Sequence, residues 1–393
     1  MIKIDKSTCT GCGACANICP RNAIEMIQVD KGFYYPEITE DKCVGCGLCD
    51  NVCHADADVS LHDSDDAFLF VNNSIETRKN SSSGGAFSVL ANAFIEKGGY
   101  VVGAEFGMDF SIQHNIYNDK ENVKRFQTSK YVQSNTSDVY KKTYDLLKNG
   151  ERVLFSGTPC QVSGLITYLS RKNCSTENLL TVDFICHGVG SPAFWKDCLK
   201  YYSRNGKKQI VDVNFRGKPR AGKLQNLYIK YANGKRFFAP STNLEIFYYH
   251  FLKNYILRES CYKCKYSALG RVSDITLADC FKFGEDTKHL NDGVGTSFLI
   301  MNTTKSMNYI EEFQQAGKIQ KITKADYIQP NMQEATPKPS LYEEFWKSYE
   351  NGFDSALRVS GYSNSKNSLK RKIAAIVYML RLDSVVKKIK AAK

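Results

Sequence analysis

Apolar residues recur at helical spacing through AFSVLANAFIEKGG, just after Gly84 and Gly85 close a run of three serines, and an apolar strand, YVVGAEF, follows. The same order of strand, short turn and helix returns twice. ERVLFSGTPCQVSGLITYL predicts a strand at Val153 to Phe155, a turn at Gly157 to Pro159 and a helix from about Gln161. LLTVDFICHGVGSPAFWKDCLKYY predicts a strand from Leu179 to Ile185, a turn holding Cys186 and His187, and a helix opened by Ser191 and Pro192. LYIKYANGKRFFA reads as a hairpin turning at Asn233-Gly234, with SDITLA and TSFLIMN as two more strands, so the sheet is expected to be mixed. Upstream, HADADVSLHDSDDA turns polar and FLFVNNSIETRKN reads as a linker or an edge strand. At the far end Leu369, Ile373, Ile376, Val377 and Leu380 form one helical stripe.

Charge and length narrow the class. No run of 18 apolar residues occurs and the opening MIKIDKSTC has no apolar signal region, so a soluble, cytoplasmic protein is expected. The 393 residues have room for a catalytic domain of roughly 250 residues and smaller parts. Residues 366–393 hold nine basic residues and one acidic, which accounts for eight of the twelve net positive charges. A basic tail of this kind argues against a nucleic-acid surface on the body. It suits peripheral contact with the inner face of an anionic membrane, or packing on protein with its lysines in solvent.

Fifteen cysteines in such a chain suit metal or redox chemistry better than disulfides. CTGCGACANICP places Cys9, Cys12, Cys15 and Cys19, and CVGCGLCDNVCH repeats the spacing at Cys43, Cys46, Cys49 and Cys53. Three close thiolates on a glycine-bearing loop can hold three corners of a cubane while the fourth reaches the other cluster. Cluster one is therefore expected on Cys9, Cys12, Cys15 and Cys53, and cluster two on Cys43, Cys46, Cys49 and Cys19. Zinc ribbons do not use three cysteines at two-residue gaps with an exchanged fourth. Residues 1 to about 58 resemble the bacterial ferredoxin with two 4Fe–4S clusters, and His54 stands where the repeat has proline, a change expected to alter packing around cluster two.

Two further cysteines, Cys160 and Cys186, stand just past predicted strand ends, where α/β sheets bind ligands, and CYKCKY adds Cys261 and Cys264. Four thiolates from three segments can hold a third cluster. A structural zinc and buried unligated thiols are the alternatives. Cys174, Cys198 and Cys280 have no such placement and read as structural. The serine and glycine turn before a helix offers free amides to a phosphate, although serine loops are common.

GTPCQVSGL, DFICHGVGSP, RESCYKCKY, RVSDITLADCFKFG and DGVGTSFLIMNT, in that order, resemble the coenzyme F420 hydrogenase/dehydrogenase beta-subunit family over residues 80 to about 305, and SSSGGAFSVL and TSKYVQS fit it as well. The resemblance implies FAD and makes Cys160, Cys186, Cys261 and Cys264 ligands of a third 4Fe–4S cluster. It also implies flavin and phosphate contacts from Ser83, Gly84, Gly85, Ser129, Lys130 and Tyr131. FRGKPRAGK falls where the family has a basic loop, so Arg216 and Lys218, with Arg220 and Lys223, are expected to face the flavin's open side as catalytic residues binding an anionic substrate or carrier. Ala278 to Phe281 depart from the family pattern: Asp279 is kept, the glycine before it is not.

The expected architecture is α+β with α/β: a ferredoxin domain over 1–58, a linker over 59–80, a mixed-sheet α/β flavoprotein domain over 81–340 and a helical C-terminal extension over 341–393. The expected activity is an iron–sulfur flavoprotein oxidoreductase. External ferredoxin would supply electrons through the clusters to FAD, and a bound substrate, such as a polysaccharide-biosynthesis intermediate, would be reduced. An F420-dependent dehydrogenase running in reverse and a non-catalytic electron-transfer subunit of a larger complex are the alternatives.

Overall fold

The computed structural model describes residues 5–55, 59–218, 226–238, 241–363, 369–370, 373 and 377. Near the N-terminus the strands β1 (Ile24–Val29) and β2 (Phe33–Ile38) form an antiparallel ribbon flanked by the two cysteine-bearing short helices, Ala14–Ile18 and Leu48–Asn51. Along the rest of the chain run β3 (Ala67–Asn72), β4 (Tyr100–Phe106), β5 (Ile112–Tyr117), β6 (Val153–Ser156), β7 (Leu179–Phe184), β8 (Ile210–Asn214), β9 (Tyr228–Tyr231), β10 (Arg236–Phe238), β11 (Ile275–Asp279), β12 (Ser297–Met301) and β13 (Gly317–Ile322).

Eight of these strands form one sheet in the order β13-β3-β12-β11-β7-β6-β4-β5. Its centre, β4, β6, β7 and β11, is parallel, and both flanks are antiparallel. Helical crossovers such as Pro159–Arg171 produce the parallel part, and the apolar runs of β6 and β7 are buried on both faces as parallel strands require. The mixed α/β sheet is thus as expected. The hairpin β9–β10 turns at Asn233-Gly234, where Gly234 takes φ +77°, and joins β8 in a separate three-stranded sheet.

Three boundaries fall elsewhere than expected. The segment 59–80 is neither linker nor edge: all six residues of β3 are buried, and the strand pairs with β12 on one side and β13 on the other. Its apolar run, FLFV, is too short and continuous to show which neighbours it will find. The N-terminal segment shares its core with the body, since Ala14, Ile18, Ile24 and Val52 pack with Val139, Tyr140, Leu165 and Leu169. The helices Tyr342–Glu350 and Phe353–Val359 are likewise part of the body, because Phe345, Trp346 and Leu357 join the aromatic core around Trp195, Phe215 and Phe247.

Of the tail stripe, Leu369, Ile373 and Val377 lie among the described residues and are helical, with Leu369 and Ile373 exposed; apart from these and Lys370, 366–393 lies outside them. Among the described residues no helix is long and apolar enough to cross a membrane.

A candidate electron-transfer site

The duplicated cysteine loops fold alike and are placed differently. Gly11 and Gly13 take φ +67° and +80°, and Gly45 and Gly47 take +66° and +73°, so both loops bend through the left-handed region that glycine favours. In the first loop a Cβ on Gly11 would meet Gln133 Nε2 at 2.4 Å and Tyr34 O at 2.7 Å, whereas Gly45 and Gly47 face open space. The first loop is therefore pressed into the body. The second is at the surface, with Cys46 exposed and Val44 63% exposed.

Each expected ligand set lines a cavity of its own. Cys9, Cys12, Cys15 and Cys53 surround one, and Cys19, Cys43, Cys46 and Cys49 surround another. Cys160, Cys186, Cys261 and Cys264 surround a third. The fourth cysteine of each loop thus points to the other loop's cavity, as the repeat predicts. Among the described residues no three His, Cys, Asp or Glu converge on a point suited to a single metal ion. Thiols placed around a cavity suit a cluster, which meets each ligand at a separate corner. All fifteen cysteines are free thiols, and Cys174, Cys198 and Cys280 line none of these cavities.

The third set is assembled by folding. Thr158 caps the helix Pro159–Arg171 in a capping box with Gln161, so Cys160 sits in the first helical turn and not in the preceding loop. Cys186 follows β7, and Cys261 and Cys264 flank the end of the short turn Glu259–Lys263. Burial pushes Cys160 up to about 11 and Cys261 to about 12, and neighbouring thiols add to both; Cys186 rises further for the same reasons. In the first cavity burial likewise pushes Cys12 up to about 12. Thiols raised in this way ionise when a positive group stands among them, a charge that bound iron would supply while displacing the protons.

The cavities share walls. Thr10 lines both the first and the third. Gly164 lets the helix Pro159–Arg171 approach the first loop, since a Cβ there would meet Cys12 Sγ at 2.9 Å. Arg258, fully buried, lines the third cavity and donates through Nε to Cys9 O (2.8 Å), with Nη2 at 3.6 Å from Cys9 Sγ. Sequence reasoning passed over Arg258, whose only signal is its place three residues before Cys261. His54, expected to affect cluster two, instead lines the first cavity, because Cys53 has crossed over to it.

On its other side the third cavity shares Thr158, Gln161, Cys186, His187, Gly188 and Val189 with a much larger space of ≈ 1820 Å³, counting its open mouth. Ser83, Gly85, Ser129, Lys130 and Tyr131 all line it. Gly85 is the N-cap of the helix Ala86–Glu96 at φ +89°, without a side-chain cap, and Ala86, Phe87 and Ser88 of the first turn line the space. Their amides, at the positive end of the helix, have no side-chain cap. Ser82 ties the two motifs together, its Oγ accepting from Ser129 N at 2.7 Å. Lys130 donates to the carbonyls of Arg125 (2.8 Å) and Gln127 (2.9 Å), and burial brings its ammonium down to about 7. His114, Phe281 and Gln329 line the space too, with no signal in the sequence.

Gly84 does not line the cavity. A Cβ there would meet Phe70 O at 2.3 Å and Ser297 N at 2.6 Å, so this glycine lets the serine turn lie against β3 and β12. Both obstructions are sheet backbone. Gly84→Ala is expected to cost about 3 kcal/mol through overpacking, against about 1–2 for Gly85→Ala, whose penalty is the left-handed φ. Equal unfolding midpoints for the two variants would remove this packing role.

Arg216 lines the large cavity, as Asp279 does, and Lys218 does not. Arg216 is 2% exposed; its Nη1 donates to Asp279 Oδ2 (2.8 Å) and the Tyr131 hydroxyl (2.8 Å), and its Nη2 to Ser82 O (2.6 Å) and Asp279 Oδ1 (3.0 Å). Lys218 donates to Arg78 O and Ser83 O, both at 2.8 Å, and does not line the large cavity. Burial, and then Arg216, bring its ammonium down to about 7. Both side chains hold the serine turn in place. Arg220 and Lys223 lie outside the described residues.

Two domains with redox chemistry are thus joined: the chain is an oxidoreductase-type, iron–sulfur electron-transfer protein. Residues 150–326 match the family model for the C terminus of the coenzyme F420 hydrogenase/dehydrogenase beta subunit, and residues 8–57 match that of a 4Fe–4S dicluster domain. Among solved structures, a chain of the F420-reducing NiFe hydrogenase complex from Methanosarcina barkeri is similar, with TM-score 0.47 and 13% identity over 79% of this chain and 92% of that one. No curated protein matches the sequence.

Proposed function

We propose that this protein is a ferredoxin-coupled, flavin-dependent reductase that takes up electrons singly at its N-terminal surface and reduces a small molecule by two. The observation supporting this most is the succession of sites: an exposed cysteine loop, a buried one, a third four-cysteine cavity sharing walls with the first, and a large cavity sharing six residues with the third. Such an order brings one-electron carriers up to a place where a two-electron cofactor fits.

The three cysteine sets would hold 4Fe–4S clusters and the large cavity FAD; when bound, these groups supply single-electron carriage and its conversion to two-electron chemistry. The fit of FAD rests on the uncapped amides of Ala86, Phe87 and Ser88 for its pyrophosphate and on the size of the cavity. Ser82 and Arg216 orient the turn that presents those amides. Tyr131, edge-on to Tyr248 and Phe251, offers an apolar wall that keeps water from a bound ring. Arg216 and Lys218 are positioning residues in this reading, and a small-molecule substrate enters by the mouth near Phe281 and Leu252. The family match favours a second reading, with reduced F420 as the donor and electrons leaving through the N-terminal surface.

Anaerobically purified protein is expected to hold about twelve iron atoms and one FAD per chain. Cys264→Ser should lower iron by about four and leave the N-terminal clusters visible by spin resonance. About eight irons in the parent protein, with flavin retained, would remove the third cluster. Reduced ferredoxin should bleach the FAD, and Cys12→Ser should slow this sharply while dithionite still reduces the flavin. A screen of nucleotide sugars, F420 and nicotinamides then identifies the partner.

A further inference from the structure

The two halves of the N-terminal repeat differ at one chemically telling position: Pro20 follows Cys19, but His54 follows Cys53. His54 is buried, 1% exposed, and both its ring nitrogens are engaged. Nδ1 lies 2.6 Å from the Tyr266 hydroxyl and Nε2 3.4 Å from the Thr10 hydroxyl. Tyr266 comes from the opposite side, two residues past Cys264, and is itself buried, with Cys160, Cys12 and Cys264 around its phenol. Thr10, at the other end, lines both cavities. A hydrogen-bonded chain therefore runs from Thr10, which lines both cavities, through His54 to the Tyr266 phenol, which lies beside cysteines of both sets.

The chain is also anchored. The Lys265 ammonium donates to the carbonyls of His54 and Ala55, the latter at 3.2 Å, so the segment carrying Cys264 grips the backbone beside Cys53. If the wall needed only packing, the proline of the first half would fill it without a polar atom. A buried imidazole with two partners is retained at a cost in desolvation, which points to a use for its hydrogen bonds.

We propose that His54 and Tyr266 are positioning residues that couple the cluster held by Cys9, Cys12, Cys15 and Cys53 to the one held by Cys160, Cys186, Cys261 and Cys264. In the step they serve, one electron leaves the first cluster, which is oxidised, and enters the other, which is reduced; no bond forms or breaks. Their hydrogen bonds bridge the gap and set the two potentials relative to each other. The inference rests on the reading that both sites hold clusters.

The test uses the full-length holoprotein with Tyr266→Phe, which keeps the ring and removes the hydroxyl, and His54→Gln, which keeps a hydrogen-bonding side chain but not the two-ended bridge. Iron content, the potential of each cluster from a redox titration followed by spin resonance, and the rate of transfer between clusters after flash reduction are measured. Both variants should keep about twelve irons, change the difference in potential between the two clusters, and slow transfer by about tenfold. Unaltered potentials and a wild-type rate in either fully loaded variant overturn the proposal. If Tyr266→Phe loses iron, the same criteria applied to His54→Gln decide it. A wild-type count of about eight irons overturns the parent reading and the bridge together, and is seen before any variant is made.

Discussion

Arg258→Ala is expected to unseat the N-terminal cluster domain and to disturb two cysteine sites at once. The Arg258 side chain is fully buried, and its guanidinium donates to Cys9 O at 2.8 Å, Tyr34 O at 3.0 Å and Gln133 Oε1 at 3.2 Å. It also lies over the Tyr35 ring, 4.0 Å from its centroid. Alanine would leave Cys9 O and Tyr34 O without this donor, Gln133 Oε1 keeping Tyr34 N at 2.9 Å, and open a void where the guanidinium stacked. With about 1–3 kcal/mol for each orphaned acceptor, the loss should reach at least about 3 kcal/mol. The loss should not be uniform. Because the contacts join segments 9, 34–35 and 133 to 258, limited proteolysis should release the first 60 or so residues before the body is cut. Arg258→Lys should recover little, since one ammonium cannot span the carbonyls that a planar fork reaches together. Unchanged unfolding and an uncut N-terminal segment in Arg258→Ala would show that the ribbon β1–β2 and its apolar core hold the domain unaided.

The parts of this molecule legible in the sequence are those fixed by local geometry. A thiolate loop that must wrap a cubane needs close cysteines and left-handed glycines, and both halves of the repeat carry them, so the cysteines that line each of the two cavities could be grouped from spacing. The strands β6, β7, β11 and β12 were legible because apolar runs ended at recognisable turns. What was hidden depends on tertiary neighbours. β3 is an interior strand only because β12 and β13 return from more than 200 residues away to pair with it. Gly84 and Gly85 look equivalent in SSSGG, yet one is a packing glycine and the other caps a helix. FRGKPRAGK reads as a solvated basic loop until Asp279, 63 residues on, is found to hold Arg216 inside the protein. The residues around the first and third cysteine cavities, Thr10, His54, Tyr266 and Arg258, form no motif because they meet only when the N-terminal segment packs on the body.

Arg216 provides the sharpest test of that last distinction between a buried support and a substrate ligand. Its partner Asp279 has a side chain 11% exposed and is gripped through both carboxylate oxygens. Arg216→Met would keep much of the volume but leave a largely buried carboxylate uncompensated and remove donors from the Tyr131 hydroxyl and Ser82 O. Breaking a buried pair from one side costs about 3–5 kcal/mol, so a large fall in stability is expected, together, on the proposed reading, with loss of FAD as the serine turn loosens. Adding Asp279→Asn removes the stranded charge. The double variant should regain at least about half of the lost stability, giving an interaction energy of roughly 1–3 kcal/mol between the two sites. Chemical unfolding of the four proteins in the cycle and their flavin content measure both effects. If Arg216→Met instead left stability and flavin unchanged and raised only the KM for a phosphorylated substrate, Arg216 would be a substrate ligand, and the ion pair with Asp279 would have to open during turnover.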